Sequence, residues 1–146
     1  MSDTELTEVT GACLCGKVTF EASVETGLGA CHCGMCRQWS AGPFMSVNAV
    51  GPVKLTGNEN IGLYSSSDWA ERGFCKQCGS NLFYRLLPRK GLPDGQYIFS
   101  AGAVSDQSKF KFDHEVFVDH APHWYRFADE AERKRMTEAE LLKQFE

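Results

Sequence analysis

The sequence predicts a mainly β domain of short antiparallel strands with a short C-terminal helix. Two observations support this fold class. Short β-favouring stretches recur along the chain, and turns rich in glycine separate them. The one segment with clear helix signals is terminal, where Thr137 and Glu140 have the spacing of a capping box. A chain of 146 residues is expected to form one domain.

The clearest strand signal lies at residues 16–24, where apolar and polar side chains alternate strictly. A period of two is typical of a half-buried strand. Four apolar residues share its inner face: Val18, Phe20, Ala22 and Val24. Gly27 and Gly29 are expected to break the strand before the second group of cysteines.

Six further strands are expected, two of them separated by the turn signal Gly51-Pro52. They lie at residues 44–50, 53–55, 69–74, 82–86, 97–99 and 115–118. Residues 88–95 are rich in turn-forming and basic side chains, which predicts an exposed loop. The terminal helix has an apolar face that consists of Ala139, Leu141, Leu142 and Phe145.

Charge and composition exclude several classes of protein. The net charge is −4 and the pI is about 5.6, so the chain lacks the positive field that binds nucleic acid. The basic residues of 85–90 are interpreted as part of a solvated loop. No apolar run approaches the ~20 residues of a membrane span, and residues 1–5 lack the features of a signal peptide. We therefore expect a cytoplasmic protein with no nucleic-acid or membrane partner.

The seven cysteines indicate metal binding. An odd number leaves one thiol unpaired in any complete disulfide scheme, and disulfides do not persist in the reducing compartment expected here. Buried core cysteines have no regular spacing, whereas these fall in three clusters: Cys13-x-Cys15, Cys31-x-Cys33-x-x-Cys36 and Cys75-x-x-Cys78. Zinc is the preferred ion for such clusters, and iron is the alternative.

Ligand counting divides the cysteines into two sites. Cys13 and Cys15 are assigned to one site with Cys75 and Cys78, because a glycine after each pair lets the chain turn away from the metal. The alternative is that the central cluster supplies the second pair. The first division leaves a site of three thiolates with one open position: Cys31, Cys33 and Cys36. Four protein ligands are typical of structural zinc, and three plus an exchangeable position are typical of catalytic zinc.

The histidines are expected to lie outside the metal sites. His32 stands between Cys31 and Cys33, and in an extended segment its side chain would point to the opposite side from theirs. We therefore expect a structural role for His32. The remaining histidines are expected at the surface or in polar pockets: His114, His120 and His123.

Four segments combine the cysteines with particular neighbours. They are Gly11-x-Cys13-x-Cys15-Gly16-x-Val18-x-Phe20, Cys31-His32-Cys33-x-x-Cys36-Arg37, Phe74-Cys75-x-x-Cys78-Gly79-Ser80-x-Leu82, and His114-x-x-x-Phe117-Val118 followed by Pro122 and Trp124. In this combination the chain resembles the glutathione-dependent formaldehyde-activating proteins, a family that also includes centromere protein V. The prediction has a flexible N-terminus at 1–10, a zinc-binding domain at 11–128 and a C-terminal helical extension at 129–146.

The resemblance implies a β-tent fold with two zinc ions per chain. Its structural zinc would be held by Cys13, Cys15, Cys75 and Cys78. Its catalytic zinc would be held by the three predicted catalytic residues Cys31, Cys33 and Cys36. The resemblance further implies a carbon–sulfur lyase of the S-(hydroxymethyl)glutathione synthase type. Its partners would be a small thiol such as glutathione and a small aldehyde such as formaldehyde, and a homodimer is left open.

The chemistry of the pocket is harder to assign. Glutathione carries two carboxylates, which need cationic partners. The candidates are Arg37, Arg72 and Arg85, with a plain surface position as the alternative for each. Aromatic candidates for the pocket wall are Trp39, Phe44 and Trp124, with core packing as the alternative. Zinc with three thiolates has a net charge of −1 and polarises an aldehyde poorly, so a separate donor to the aldehyde oxygen is required.

Two alternatives to the enzyme stay open. The first is a binding or scaffold module with two structural zinc ions and no turnover. The second is a nucleic-acid or cytoskeletal partner, as centromere protein V suggests, but the acidic pI and the lack of a long basic tail argue against it. An exchangeable ligand position at the second zinc would favour the enzyme over the scaffold.

Overall fold

A ten-stranded mixed sheet forms the framework of the computed structural model, which describes residues 5–145. Its strands are β1 Leu6–Ala12, β2 Thr19–Glu25, β3 Gly27–Cys31, β4 Phe44–Thr56, β5 Ile61–Ser67, β6 Ala70–Cys75, β7 Asn81–Leu86, β8 Gln96–Ser100, β9 Lys111–Val116 and β10 Lys134–Met136. The α-helices are α1 Gly34–Ser40 and α2 Glu138–Leu142. Single 3-10 turns occur at Asn58–Asn60, Ala101–Ala103, Val118–His120, Glu130–Glu132 and Lys143–Phe145.

The long strand β4 joins the two parts of the sheet. The main path runs β10-β9-β3-β4-β8-β7-β6-β5, and β2 pairs with β4 on one side and with β1 on the other. Most pairs are antiparallel, whereas β9 is parallel to both β3 and β10. The mainly β prediction with a short C-terminal helix is confirmed, and the two parallel pairings add to the antiparallel ones that the sequence indicated.

The core lies where the inner face of β2 meets β7 and β8. All four apolar residues of the predicted β2 segment are buried: Val18, Phe20, Ala22 and Val24. Phe20 stacks on Phe99 with ring centroids 4.0 Å apart, and Phe83 meets Phe99 edge-on. Burial of each such ring contributes about 1.5–3 kcal/mol to folding. The alternation in the sequence therefore identifies this part of the core correctly.

The predictions for the first thirty residues are partly wrong. Residues 6–10 are not a flexible terminus, because β1 pairs with β2 along its whole length and buries Val9. Residues 1–4 of that predicted segment lie outside the described residues. Strand β2 ends at Glu25, before Gly27 as expected, but Gly27 and Gly29 belong to the next strand, β3. A side chain at Gly29 would overlap the ring of His114, so glycine is what lets β3 lie close to β9.

Several shorter elements were not predicted. Strand β5 and helix α1 are too short for a periodic pattern to reveal them. The turn predicted at Gly51-Pro52 does not end the strand. Strand β4 continues through it, with Gly51 at a positive φ of 78°. Strand β9 ends at Val116 rather than at residue 118, because Phe117 takes the left-handed conformation.

The C-terminal extension is partly a strand. The capping box of α2 is present as predicted, with Thr137 Oγ1 accepting from Glu140 N at 3.2 Å. Strand β10, which was expected to be helical, pairs in parallel with β9 and attaches the extension to the sheet. The boundary at residue 128 stays a prediction. Within residues 5–145, no helix has the length and apolar character that crossing a bilayer requires.

Gly57 follows β4 and lies close to the backbone of Lys17, just before β2. Its φ is 86°, and a Cβ atom there would overlap the carbonyl oxygen of Lys17. We expect Gly57→Ala to lower the free energy of unfolding by about 2–4 kcal/mol, because strain and backbone overlap add. Gly51→Ala is the matched control: φ is 78° but the space is open, so about 1 kcal/mol is expected. Equal losses in urea unfolding would contradict the prediction.

Candidate metal centres

Four cysteines from two distant turns form one group. The sulfur atoms of Cys13, Cys15, Cys75 and Cys78 all lie within 4.8 Å of one another. Cys13 and Cys15 Sγ are 3.6 Å apart, and Cys15 and Cys75 Sγ are 3.8 Å apart. Ligands bound tetrahedrally at about 2.3 Å are separated by about 3.8 Å, so these distances fit a four-thiolate zinc site. The predicted division of the cysteines therefore agrees with their placement.

The two turns of this group have the same local geometry. Gly16 and Gly79 both take a φ of 79°, which turns each chain away after its second cysteine. In each turn the first sulfur accepts a backbone N–H at 3.3 Å, Cys13 from Val18 and Cys75 from Gln77. These N–H groups stabilise negative charge on sulfur, so the turns are arranged for thiolates.

Ser80 links the two turns and was not predicted. Its Oγ accepts from Leu14 N at 2.9 Å and lies 3.3 Å from Cys78 Sγ. Hydrogen bonds from the Ser80 hydroxyl and backbone lower the pKa of Cys78 to about 5. A serine two residues after a ligand is a common local hydrogen-bonding pattern, and this was the signal available in the sequence.

The other three cysteines form a second group at the junction of β3 and α1. Cys31, Cys33 and Cys36 have their sulfur atoms within 4.8 Å of one another. Cys33 is the N-cap of α1, and its Sγ accepts from Cys36 N at 3.4 Å. Hydrogen bonds from the Cys31 and Cys36 side chains lower the pKa of Cys33. Within residues 5–145 no fourth cysteine, histidine or carboxylate joins this group, so it offers three sulfur ligands to a metal ion.

His32 points away from the thiolates, as the alternation in the sequence indicated. It is 2% exposed, and its Nδ1 lies 2.7 Å from the hydroxyl of Tyr125. Its Nε2 donates to Glu115 Oε1 at 2.8 Å, since an ionised carboxylate only accepts. The segment that carries Cys31 and Cys33 is therefore anchored on the side opposite to the sulfur atoms.

Glu115 is the centre of this anchor and was not identified from the sequence. It is 2% exposed and also accepts from Arg133 Nε at 2.9 Å, with Arg135 Nε at 3.3 Å. Burial opposes its ionisation, but the hydrogen bonds from Arg133 and His32 hold the pKa of Glu115 below its usual range. Arg133, just before β10, and Arg135, within it, thus connect to the cysteine segment through the carboxylate of Glu115.

Arg72 lies beside the three-thiolate group rather than on the surface. It is 3% exposed, and its Nη1 is 3.6 Å from Cys36 Sγ. The guanidinium lies between two rings, with Cζ 5.1 Å from the centroid of Trp39 and 4.8 Å from that of Tyr84. Burial raises the pKa of the Tyr84 hydroxyl, which therefore stays neutral. Arg72 contributes a fixed positive charge at the thiolates.

The other two candidate arginines have different roles. Arg37 Nε donates to the His32 carbonyl at 3.0 Å and so stabilises the cysteine segment. Arg85 pairs with Glu71 at 3.2 Å. Neither guanidinium contacts a cysteine sulfur in these hydrogen bonds.

The aromatic and histidine candidates also lie in different environments. Phe44 is buried and contacts the ring of Trp39, whereas Trp124 is 64% exposed. The three C-terminal histidines do not join either group of cysteines. His114 contacts Asp113, His120 contacts Glu138, and His123 is exposed.

A cavity of about 310 Å³ lies between α1 and strands β5 and β6. No cysteine lines it, and Arg72, which contacts Cys36 Sγ, connects it to the three-thiolate group. Its lining consists of Met35, Gln38, Trp39, Tyr64, Ser66 and Arg72. Two buried polar atoms at this wall, Ser66 Oγ and Arg72 Nε, have no hydrogen-bond partner among the described residues. Buried polar groups are nearly always paired, so the wall is suited to a ligand with hydrogen-bond acceptors.

Comparison with known proteins agrees with this arrangement. Residues 8–120 match the family model of the glutathione-dependent formaldehyde-activating enzyme. The chain belongs to this family. An uncharacterized lyase of Schizosaccharomyces pombe is 36% identical over 123 residues, which cover 84% of this chain and 87% of the relative. The fold is similar to that of a crystal structure of a Rhodobacter sphaeroides protein, with a TM-score of 0.56 at 19% identity over 88% of this chain and 99% of that one.

Proposed function

We propose that the protein is a zinc-dependent carbon–sulfur lyase that joins a small thiol to a small aldehyde and also catalyses the reverse reaction. Glutathione and formaldehyde are the proposed substrates, because the family is named for them. One observation carries the proposal: Cys31, Cys33 and Cys36 present three sulfur ligands and leave a fourth position free. The lyase relative supports the reaction class.

The two groups of cysteines are assigned different roles in this proposal. The four-thiolate group would hold a structural zinc, since Cys13, Cys15, Cys75 and Cys78 fill a tetrahedral shell. The three-thiolate group would hold the catalytic zinc. When bound there, zinc supplies an open position at which a substrate thiol loses its proton.

The reaction balances without an oxidant or a reductant. The thiol loses its S–H proton, and the thiolate sulfur donates an electron pair to the aldehyde carbon to form the new C–S bond. The C=O π electrons move to oxygen, which takes up a proton, so thiol plus aldehyde gives an S-hydroxyalkyl product. The cavity beside α1 has room for the body of the thiol, and Trp39 and Met35 give it apolar wall area.

Exchange spectroscopy by NMR on formaldehyde and glutathione tests the proposal. We expect zinc-loaded protein to speed the exchange between free formaldehyde and the adduct. Cys36→Ser removes a ligand of the open site and is expected to lower this rate by at least about 100-fold, since oriented activation is typically worth that much. Ser40→Ala, also on α1, is the matched control and should keep the rate, since the Ser40 hydroxyl has no hydrogen-bond partner within residues 5–145.

The alternative of a scaffold with two structural zinc ions makes a different prediction. For a scaffold, formaldehyde would exchange with the adduct equally fast with and without protein, and Cys36→Ser would not alter this exchange rate. That result would contradict the proposed enzyme for this substrate pair.

A further inference from the structure

The three-thiolate group has a charge problem once a fourth thiolate binds. A divalent ion with three thiolates has a net charge of −1, and a fourth thiolate brings it to −2. Cys36 is only 4% exposed, so water screens this charge poorly on that side. A neutral ligand would avoid the cost. A site that prefers thiolate therefore needs a positive charge close to the sulfur atoms.

Arg72 is placed to supply this charge. Its Nη1 is 3.6 Å from Cys36 Sγ, and the side chain is almost fully buried. Arg85 is paired with Glu71, whereas Arg37 donates through Nε to the neutral His32 carbonyl and keeps its charge. Arg72 differs from both because its guanidinium contacts a cysteine sulfur. No carboxylate contacts Arg72 within residues 5–145, so its charge is not already balanced by an acidic side chain.

The position of Arg72 is fixed before any ligand binds. The guanidinium Cζ lies 5.1 Å from the centroid of Trp39 and 4.8 Å from that of Tyr84, and these two contacts restrict its movement. A guanidinium has five N–H donors, and one contact with Cys36 leaves others for a ligand. Arg72 also lines the cavity proposed for the thiol. The charge is therefore both close to the sulfur atoms and adjacent to the substrate space.

We propose that Arg72 is the specificity-determining residue that makes the open position take an anionic thiolate in preference to a neutral ligand. The inference rests on the proposed function, because it assumes that a thiol binds at Cys31, Cys33 and Cys36. It explains the selectivity for thiols by the charge of one residue of this chain. Arg72 acts through charge at the thiolates.

Ligand binding to the cobalt-substituted protein tests this role. The sulfur-to-cobalt absorption band would be followed in titrations with 2-mercaptoethanol and, separately, with imidazole. The first ligand carries no carboxylate, so it reports the charge on sulfur alone. The proteins compared are the wild type, Arg72→Met, Arg72→Gln and Arg72→Lys, with Arg85→Met as the control for loss of a partly buried arginine.

Loss of the charge is expected to weaken thiol binding selectively. Arg72→Met should raise the Kd for 2-mercaptoethanol about 30-fold, because an opposite charge within about 4–6 Å of a thiol shifts its ionisation by about 10- to 1000-fold. The Kd for imidazole should change by less than about threefold, since a neutral ligand gains little from a nearby charge. Arg72→Lys should recover most of the thiol affinity, and Arg85→Met should leave both constants unchanged.

The outcomes separate this inference from the proposed function. A wild-type protein that binds no thiol would overturn both. A wild-type protein that binds thiol as tightly as Arg72→Met, or a variant that loses thiol and imidazole equally, would overturn the role of Arg72 and leave the enzyme intact. If Arg72→Met does not retain two metal ions per chain, Arg72→Gln gives the neutral variant for the same comparison.

Discussion

Replacement of Cys75 by serine is expected to lower the zinc content from two ions to one per chain and to unfold the domain. Cys75 is fully buried in the main core cluster and shares its metal group with Cys13, which belongs to the same cluster. Structural zinc contributes on the order of 10 kcal/mol in small domains, which equals the whole stability of a typical protein. Metal analysis by mass spectrometry and far-ultraviolet circular dichroism would measure both effects.

Cys36→Ser is compared with Cys75→Ser to distinguish a functional zinc site from a structural one. Cys36 is equally a buried zinc ligand in the proposal, but its group is completed by a ligand from solution rather than by the chain. We expect this variant to lose one zinc ion and to stay folded. If both serine variants unfold alike, the division into a structural and a functional site is wrong.

Replacement of Glu115 by glutamine is expected to lower the free energy of unfolding by about 3–5 kcal/mol, the cost of breaking a buried ion pair. The neutral amide would leave the buried Arg133 without a counter-charge beside Arg135, which would keep only its pairing with Glu130, and would disturb the bond to His32. For a chain of this length the melting temperature should fall by about 10–15 °C. The second zinc should also bind less tightly, because His32 lies between two of its ligands.

The pH dependence gives an independent check on Glu115. Its pKa is lowered by folding, so its contribution is complete above the unfolded-state value of about 4.3 and is lost as the pH falls through the folded-state value. Wild type and Glu115→Gln should therefore differ at pH 7 and converge in acid. Glu138→Gln is the control, since this exposed carboxylate pairs with the partly exposed His120 and its loss should change stability by less than about 1 kcal/mol. A constant difference across pH would contradict the assignment.

The grouping of the cysteines was the part of the structure that the sequence predicted best, and the reason is local. Each cysteine pair is followed by a glycine whose positive φ makes the turn, so spacing and conformation are both visible in a few letters. The outward direction of His32 follows from alternation along an extended segment. The inner face of β2 was predicted for the same reason, because its pattern repeats within nine residues.

The residues that were missed depend on distant parts of the chain. Arg72 was a candidate partner of a substrate carboxylate with a surface position as the alternative, because nothing in its neighbourhood shows that α1 brings a ring over it. Glu115 was not identified because its partners come from residues 32, 133 and 135. Strand β1 was predicted to be flexible because it buries one apolar side chain, Val9, and gains its order from the ladder with β2.

The two groups of cysteines differ in how much chain each one closes, and this affects their assembly during synthesis. The three-thiolate group spans only residues 31–36, so a nascent chain can present all its sulfur atoms as soon as this segment emerges. The four-thiolate group joins cysteines 60 residues apart, as Cys15 and Cys75 show. Closing such a loop costs the unfolded chain about 4 kcal/mol of entropy. During synthesis the three-thiolate group therefore emerges from the ribosome first. The four-thiolate group can assemble only after Cys78 has emerged.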